Sequence, residues 1–143
     1  MGLKVGLITN GSAPSQSLKL DMLKLWDFFD EVIICDDETY PAKPDPAAFN
    51  DMSKRLNLPP NELLYVGDNP LNDVRGAWNS GFIPVWVKTT GIWPEDFEKE
   101  ADYAVDDVSS VPNLVKEINN PKNFKKLYEK VENSSRIVNQ ETI

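Results

Sequence analysis

Two carboxylates, Asp68 and Asp73, bracket the segment Gly67-Asp68-Asn69-Pro70-Leu71-Asn72-Asp73, directly after the apolar run Glu62-Leu63-Leu64-Tyr65-Val66. Acids at the mouth of a strand supply the oxygen ligands that a hard cation such as Mg²⁺ takes. A second segment, Leu7-Ile8-Thr9-Asn10-Gly11-Ser12, puts a hydroxyl and an amide at the end of another apolar run. These face a helix N-terminus, where backbone N–H groups favour an anion such as phosphate. Lys43, in Ala42-Lys43-Pro44-Asp45-Pro46, is a lone cation in a turn. A compact ammonium suits a phosphate or a nucleophilic carboxylate as a point charge. Each signal alone has a plain structural reading. Thr-Asn ends a turn, a turn lysine is solvated, and a first-turn acid favours the helix dipole. Together, in this order and at three strand ends, they are specific.

The elements that must position these residues are legible from periodicity. Leu3 to Ile8 is a short strand, and residues 15 to 26 carry Leu18, Met22, Leu25 and Trp26 at helical spacing after the start signals Ser12 and Pro14. Glu31 to Cys35 is a second strand. Asp45-Pro46 starts a helix with Phe49, Met52 and Leu56 on one face, stopped by Pro59-Pro60. Leu63 to Val66 is the third strand. Asn69-Pro70 repeats the helix start, Leu71, Val74, Ala77 and Trp78 make the next stripe, and Gly81 closes it. Phe82 to Val87 is the fourth strand, whose Pro84 points to an edge position. Tyr103 to Val105 is a short strand, and Val111 to Ile118 a last helix. Strand and helix alternate with short links, which means parallel strands joined by right-handed crossovers in an α/β layered fold. Ligands in such sheets bind beyond the carboxyl ends of the strands, where Thr9-Asn10, Asp36-Asp37 and Gly67-Asp68 fall. Trp26 and Trp78 lie on apolar helix faces and are expected in the core. Trp93, in the Gly91–Pro94 loop, follows a strand end, with simple packing preferred over lining the site.

Composition removes several classes of function. The chain has 143 residues and a net charge of -8, so it lacks the basic balance that nucleic acid or anionic lipid requires. It contains no histidine, which excludes His-based triads, His-metal sites and His general bases. Its single cysteine, Cys35, permits no intrachain disulfide and reads as a small buried apolar residue. No segment reads as a signal peptide or a membrane span, so a cytoplasmic location is expected by default. Residues 1–118 are expected to form the core. Residues 119–143 are expected to be a helical tail with Phe124, Leu127, Tyr128 and Val131 on one face and a frayed end.

The sequence resembles the haloacid dehalogenase (HAD) superfamily of phosphohydrolases, in the branch with a helical cap inserted after the first strand. Leu7-Ile8-Thr9-Asn10-Gly11-Ser12 resembles the family's second motif. Lys43 in Ala42-Lys43-Pro44-Asp45-Pro46 resembles the third, and Gly67 to Asp73 resembles the fourth. The segments Gly76 to Val87 and Ala101 to Asp107 continue the likeness, which covers roughly residues 2 to 118. The resemblance implies a Rossmann-like parallel sheet with flanking helices. It implies catalytic positions at Thr9, Asn10, Lys43 and Asp73, phosphate-binding roles for Thr9, Asn10 and Lys43, and Asp68 as the Mg²⁺ ligand. The implied substrate is a small phosphomonoester.

The departure is large. The family's chemistry begins with a DxDxT-type motif after the first strand, whose first Asp attacks phosphorus and whose second acts as acid and base. In this chain Met1 stands directly against the second-motif strand. The first central strand, the nucleophile and the cap are therefore expected to be missing. Asp36-Asp37-Glu38-Thr39 follows an apolar strand but does not have the D-x-D-x-T spacing, and the tail segment Arg136-Ile137-Val138 carries no DxD. Without an attacking carboxylate in line with phosphorus, aspartyl catalysis fails. The missing strand would sit between the strands ending at Thr9 and at Gly67-Asp68. Either those two close up and pair, or another segment fills the slot, because unpaired edges are costly and recruit partners. The expectation is a truncated HAD-type phosphohydrolase domain, inactive alone. The alternatives are an active Mg²⁺-dependent phosphatase completed by a homodimer or by a separate partner chain, and a non-enzymatic assembly module.

Overall fold

Each expected strand forms, with its ends shifted by at most a few residues. The computed structural model describes residues 2–89 and 91–123, in two compact units, Met1–Asp106 and Asp107–Ile143. In the first unit, strands β1 (Gly6–Asn10) and β2 (Glu31–Cys35) pair in parallel, with Gly6 opposite Glu31 and Asn10 opposite Cys35. Strands β3 (Leu64–Gly67), β4 (Ile83–Val87) and β5 (Tyr103–Val105) form a second parallel sheet in that order. Helices α1 (Ala13–Met22), α2 (Ala47–Leu56) and α3 (Arg75–Asn79) connect them, α3 continuing a wide π-type turn over Pro70–Val74. This is the α/β class with parallel strands that the alternation implied. The second unit contains helix α4 (Val111–Ile118), preceded by a short turn in which the Asp107 carboxylate accepts the Ser109 N–H at 2.8 Å. The expected tail face of Phe124, Leu127, Tyr128 and Val131 lies outside the described residues, as does Arg136-Ile137-Val138.

β1 and β3 belong to different sheets. Among the described residues they neither pair directly nor receive a strand between them. Two other devices join the halves. The buried face of α2 (Ala48, Phe49, Met52 and Leu56) clusters with Ile8, Ile33 and Cys35 from one sheet. It also clusters with Leu63, Ala77 and Phe82 from the other side. Phe49 is fully buried, its ring 4.7 Å from Tyr65 and 5.5 Å edge-on from Phe82. The second device is a side chain: the Tyr65 hydroxyl on β3 donates to the Ile8 carbonyl on β1 at 3.2 Å. A phenol buried in a strand needs such a partner.

Three local expectations are corrected. The α1 stripe faces outward: Leu18 is 58% and Met22 73% exposed, while Leu20 is the buried residue of the helix. Trp26 is not core. The helix ends at Met22, Lys24 takes a left-handed conformation, and Trp26 lies in a following turn at 39% exposure with its indole on Asp21. Pro84 does not mark an edge, because β4 lies between β3 and β5. Pairing with β5 begins at Val85, one residue later, so the missing N–H of Pro84 breaks no bond on that side. The Ser12 and Asn69-Pro70 starts cap their helices where expected, and only that of α2 is shifted. Asp45 accepts the Ala47 N–H at 2.9 Å and α2 begins at Ala47, while its stop is Asn57 in the left-handed region rather than Pro59.

Candidate active site

The end of β1 and the loop after β2 are stitched through Asn10 and Lys43. The Lys43 N–H donates to Asn10 Oδ1 at 2.9 Å, and Asn10 Nδ2 donates to the Lys43 carbonyl at 3.3 Å. Gln16 Nε2 holds the Asn10 carbonyl at 2.6 Å. The loop that delivers Lys43 is built from its own acids. Asp36 accepts the N–H groups of Glu38 and Thr39, and Asp37 accepts that of Ala42. The Thr39 N–H, with that of Glu38, holds the Asp36 carboxyl below its ordinary range. Tyr40 then pins this loop to α2 through Asp51 and Arg55. Asp36 and Asp37 thus shape the turn that leads to Lys43.

Lys43 points inward. Its Nζ lies 2.7 Å from Asp73 Oδ1 and 2.9 Å from the Tyr65 hydroxyl, with only 11% of its side chain exposed. Burial opposes its charge, yet the Tyr65 oxygen and the Asp73 carboxylate outweigh it and hold the ammonium above its ordinary value. Burial also pushes the Tyr65 phenol up to about 12, opposed by Lys43. At β3, Asp73 Oδ2 accepts the Asn69 N–H at 3.0 Å, and Asn69 Oδ1 accepts the Asn72 N–H at 3.1 Å. A side chain at Gly67 would overlap the Asp73 carboxylate, which explains glycine as the last residue of β3.

The structure therefore brings three of the sequence-selected residues into one bonded chain: Asn10, Lys43 and Asp73. Thr9 and Asp68 are placed by adjacency. Thr9 is half-buried and directly precedes Asn10, and Asp68 directly precedes Asn69, whose N–H is bound to Asp73. Tyr65 was not singled out from the sequence, although a tyrosine within the apolar run Leu63 to Val66 was a readable signal.

Among the described residues no group of three His, Cys, Asp or Glu side chains gathers as a metal cage, and the Asp73 carboxylate is bonded to Lys43 and Asn69. Mg²⁺ is commonly bound by one or two carboxylates, with phosphate and water oxygens completing the shell; the residues here offer the exposed Asp68 for such a role. They do not fit an all-protein site. No helix among the described residues is long and apolar enough to cross a membrane.

Parallel α/β strands whose carboxyl ends gather a buried lysine, an amide and an acid make a polar cluster at the place where such folds bind ligands. The model of the haloacid dehalogenase-like hydrolase family matches residues 1–87, and the chain belongs to that family. It is 34% identical over 121 residues to a glyceraldehyde 3-phosphate phosphatase of Methanopyrus kandleri, covering 82% of this chain and 52% of that protein. It is 40% identical over 110 residues to a phosphoserine phosphatase of Thermus thermophilus, covering 77% and 43%. A HAD phosphatase structure from Thermococcus onnurineus superposes with a TM-score of 0.70 at 34% identity, covering 80% of this chain and 51% of that one. The chain spans about half the length of the curated relatives it matches.

Proposed function

We propose that this chain carries the phosphate-binding half of a HAD-type phosphomonoester hydrolase and does not turn over substrate alone. The observation that carries this reading is the bonded chain Asn10–Lys43–Asp73, which draws three separate segments to the ends of two strands. In this reading Thr9 and Asn10 bind phosphate oxygens, Lys43 supplies the positive charge, and Asp73 and Tyr65 keep its ammonium protonated and fixed. Asp68 contributes the one carboxylate for Mg²⁺, which when bound polarises a phosphate oxygen. The substrate class is a small phosphomonoester, in keeping with relatives named for glyceraldehyde 3-phosphate and phosphoserine. Among the described residues, Asp36 and Asp37 are bonded into their own loop and Asp73 to Lys43, which leaves none of these three for in-line attack.

A second reading follows from the split sheet. The facing edges of β1 and β3 are bridged by a phenol rather than by a ladder, and a strand from a second copy or a partner chain would complete the site there. The test is Mg²⁺-dependent hydrolysis of an aryl phosphate by the purified chain beside an Asp68→Asn control. The first reading predicts no turnover above the control at any protein concentration. Turnover that rises steeply with protein concentration and vanishes in Asp68→Asn supports completion in trans. Turnover independent of concentration overturns both.

A further inference from the structure

The aromatic cluster beyond β4 packs well as a satellite core, and packing accounts for its rings. It does not account for one N–H. Trp86 stands opposite Gly67 in the β3–β4 ladder, one residue before Asp68. Its neighbours Val85 and Val87 are buried, so alternation turns the indole to the other face of the sheet. There Trp86 Nε1 donates to the main-chain carbonyl of Asp68 at 3.2 Å. We propose that Trp86 is a positioning residue for Asp68: its indole clamps the Asp68 peptide and thereby aims the carboxylate.

The clamp is backed from behind. The Trp93 ring lies 4.8 Å from that of Trp86 and is itself edge-on to Phe97 at 5.2 Å and to Trp78 at 6.2 Å. The Arg75 guanidinium sits 4.9 Å over Phe97, and the Lys99 ammonium 4.6 Å over Trp78. The Trp78 indole is tied to Asp102 at 3.2 Å. These contacts leave Trp86 little rotational freedom. The loop that carries Trp93 also touches the clamped peptide. A Cβ at Gly91 would lie 3.0 Å from the Asp68 carbonyl oxygen and 3.4 Å from Trp86 Nε1. Glycine there lets the backbone close over the same atom that the indole holds. Because the orientation of a peptide sets the direction of the adjacent Cα–Cβ bond, fixing this carbonyl fixes where the Asp68 side chain starts. Bonds behind a metal-facing carboxylate commonly govern its affinity. The inference rests on the reading of Asp68 as the Mg²⁺-facing acid only in its consequence, not in its geometry.

Trp86→Phe keeps an aromatic ring against Trp93 and removes the N–H together with the five-membered ring. Amide hydrogen exchange of the whole chain, its thermal midpoint, and Mg²⁺ affinity by calorimetry are then compared with the parent. Exchange at the Asn69 and Asp73 amides rises about fivefold, as loss of one hydrogen bond gives. Exchange elsewhere rises less, and the thermal midpoint falls only slightly. Mg²⁺ affinity falls about tenfold. Gly91→Ala, which presses on the same carbonyl with the indole intact, raises exchange at the same two amides, and it tests the clamp should Trp86→Phe fold poorly. Parental exchange at those amides in both variants overturns the proposal, as does a rise spread evenly over the chain. If exchange rises locally while Mg²⁺ binds the parent no better than Asp68→Asn, the clamp stands and the metal reading of Asp68 falls.

Discussion

At the carboxyl ends of β1 and β3, Lys43 is bonded to Asp73 and Tyr65, and Tyr65 to the Ile8 carbonyl. Around α1 the side chains are left to solvent instead: Leu18, Met22, Leu23 and Phe28 all stand more than half exposed. The contrast follows from what each region can do for itself. A buried ion cannot be left without a partner, so the polar end closes its own bonds across the gap. Apolar side chains have no such obligation; exposing one costs only its transfer free energy. The polar half of the site is thus self-sufficient, while the α1 face carries exposed apolar surface.

Breaking the polar end is the most damaging change. Asp73→Ala leaves the Lys43 ammonium buried without its carboxylate and lowers unfolding free energy by about 3–5 kcal/mol in urea titrations. Adding Lys43→Met to that variant recovers most of the loss, because no charge is then stranded. A double variant no more stable than the single one would show that the ammonium was not the cause. Tyr65→Phe removes the hydroxyl shared by Lys43 and Ile8 and costs about 1–3 kcal/mol. It also changes the alkaline limb. Lys43 and Tyr65 both hold their protons more tightly when folded, Tyr65 to about 12 from 10.0. The unfolded chain therefore gives up protons first, and stability, complete below pH 10, declines as pH rises toward 12. Thermal midpoints across that range fall less steeply in Tyr65→Phe than in the parent. The exposed face gives the smallest effect. Leu18→Ser and Met22→Ser each change stability by no more than about 0.5 kcal/mol. A larger loss would mean that this face is covered in solution.

The fold was readable to the extent that burial is periodic. Glu31–Cys35, Tyr103–Val105 and Val111–Ile118 form with the ends expected of them, because each is bounded by polar or turn residues that leave one solution. The α1 stripe was misread because Leu18 and Met22 make a helical apolar face whether or not anything covers it. Periodicity reports an element's shape, not its neighbours. Pro84 was misread because edge preference belongs to a residue's own ladder bonds, and β5 starts one position too late to need them. At the site, Asn10, Lys43 and Asp73 were legible as polar residues at strand ends. The direct Lys43–Asp73 bond was not, since sequence shows neither which way a turn lysine points nor that a phenol lies beside it. Trp93 packs as preferred, against Trp86, Trp78 and Phe97. The indole bond behind that packing has no sequence signature at all.

In the proposed function, the segments ending β1 and β3, with Lys43 between them, form one phosphate-binding half-site. Calorimetric titration of inorganic phosphate into the chain and into Thr9→Val tests it most directly, because valine keeps the shape of Thr9 and removes only its hydroxyl. Such a half-site gives saturable binding to the parent that weakens about fivefold or more in the variant. Equal affinity in both, or no binding to the parent, would contradict it.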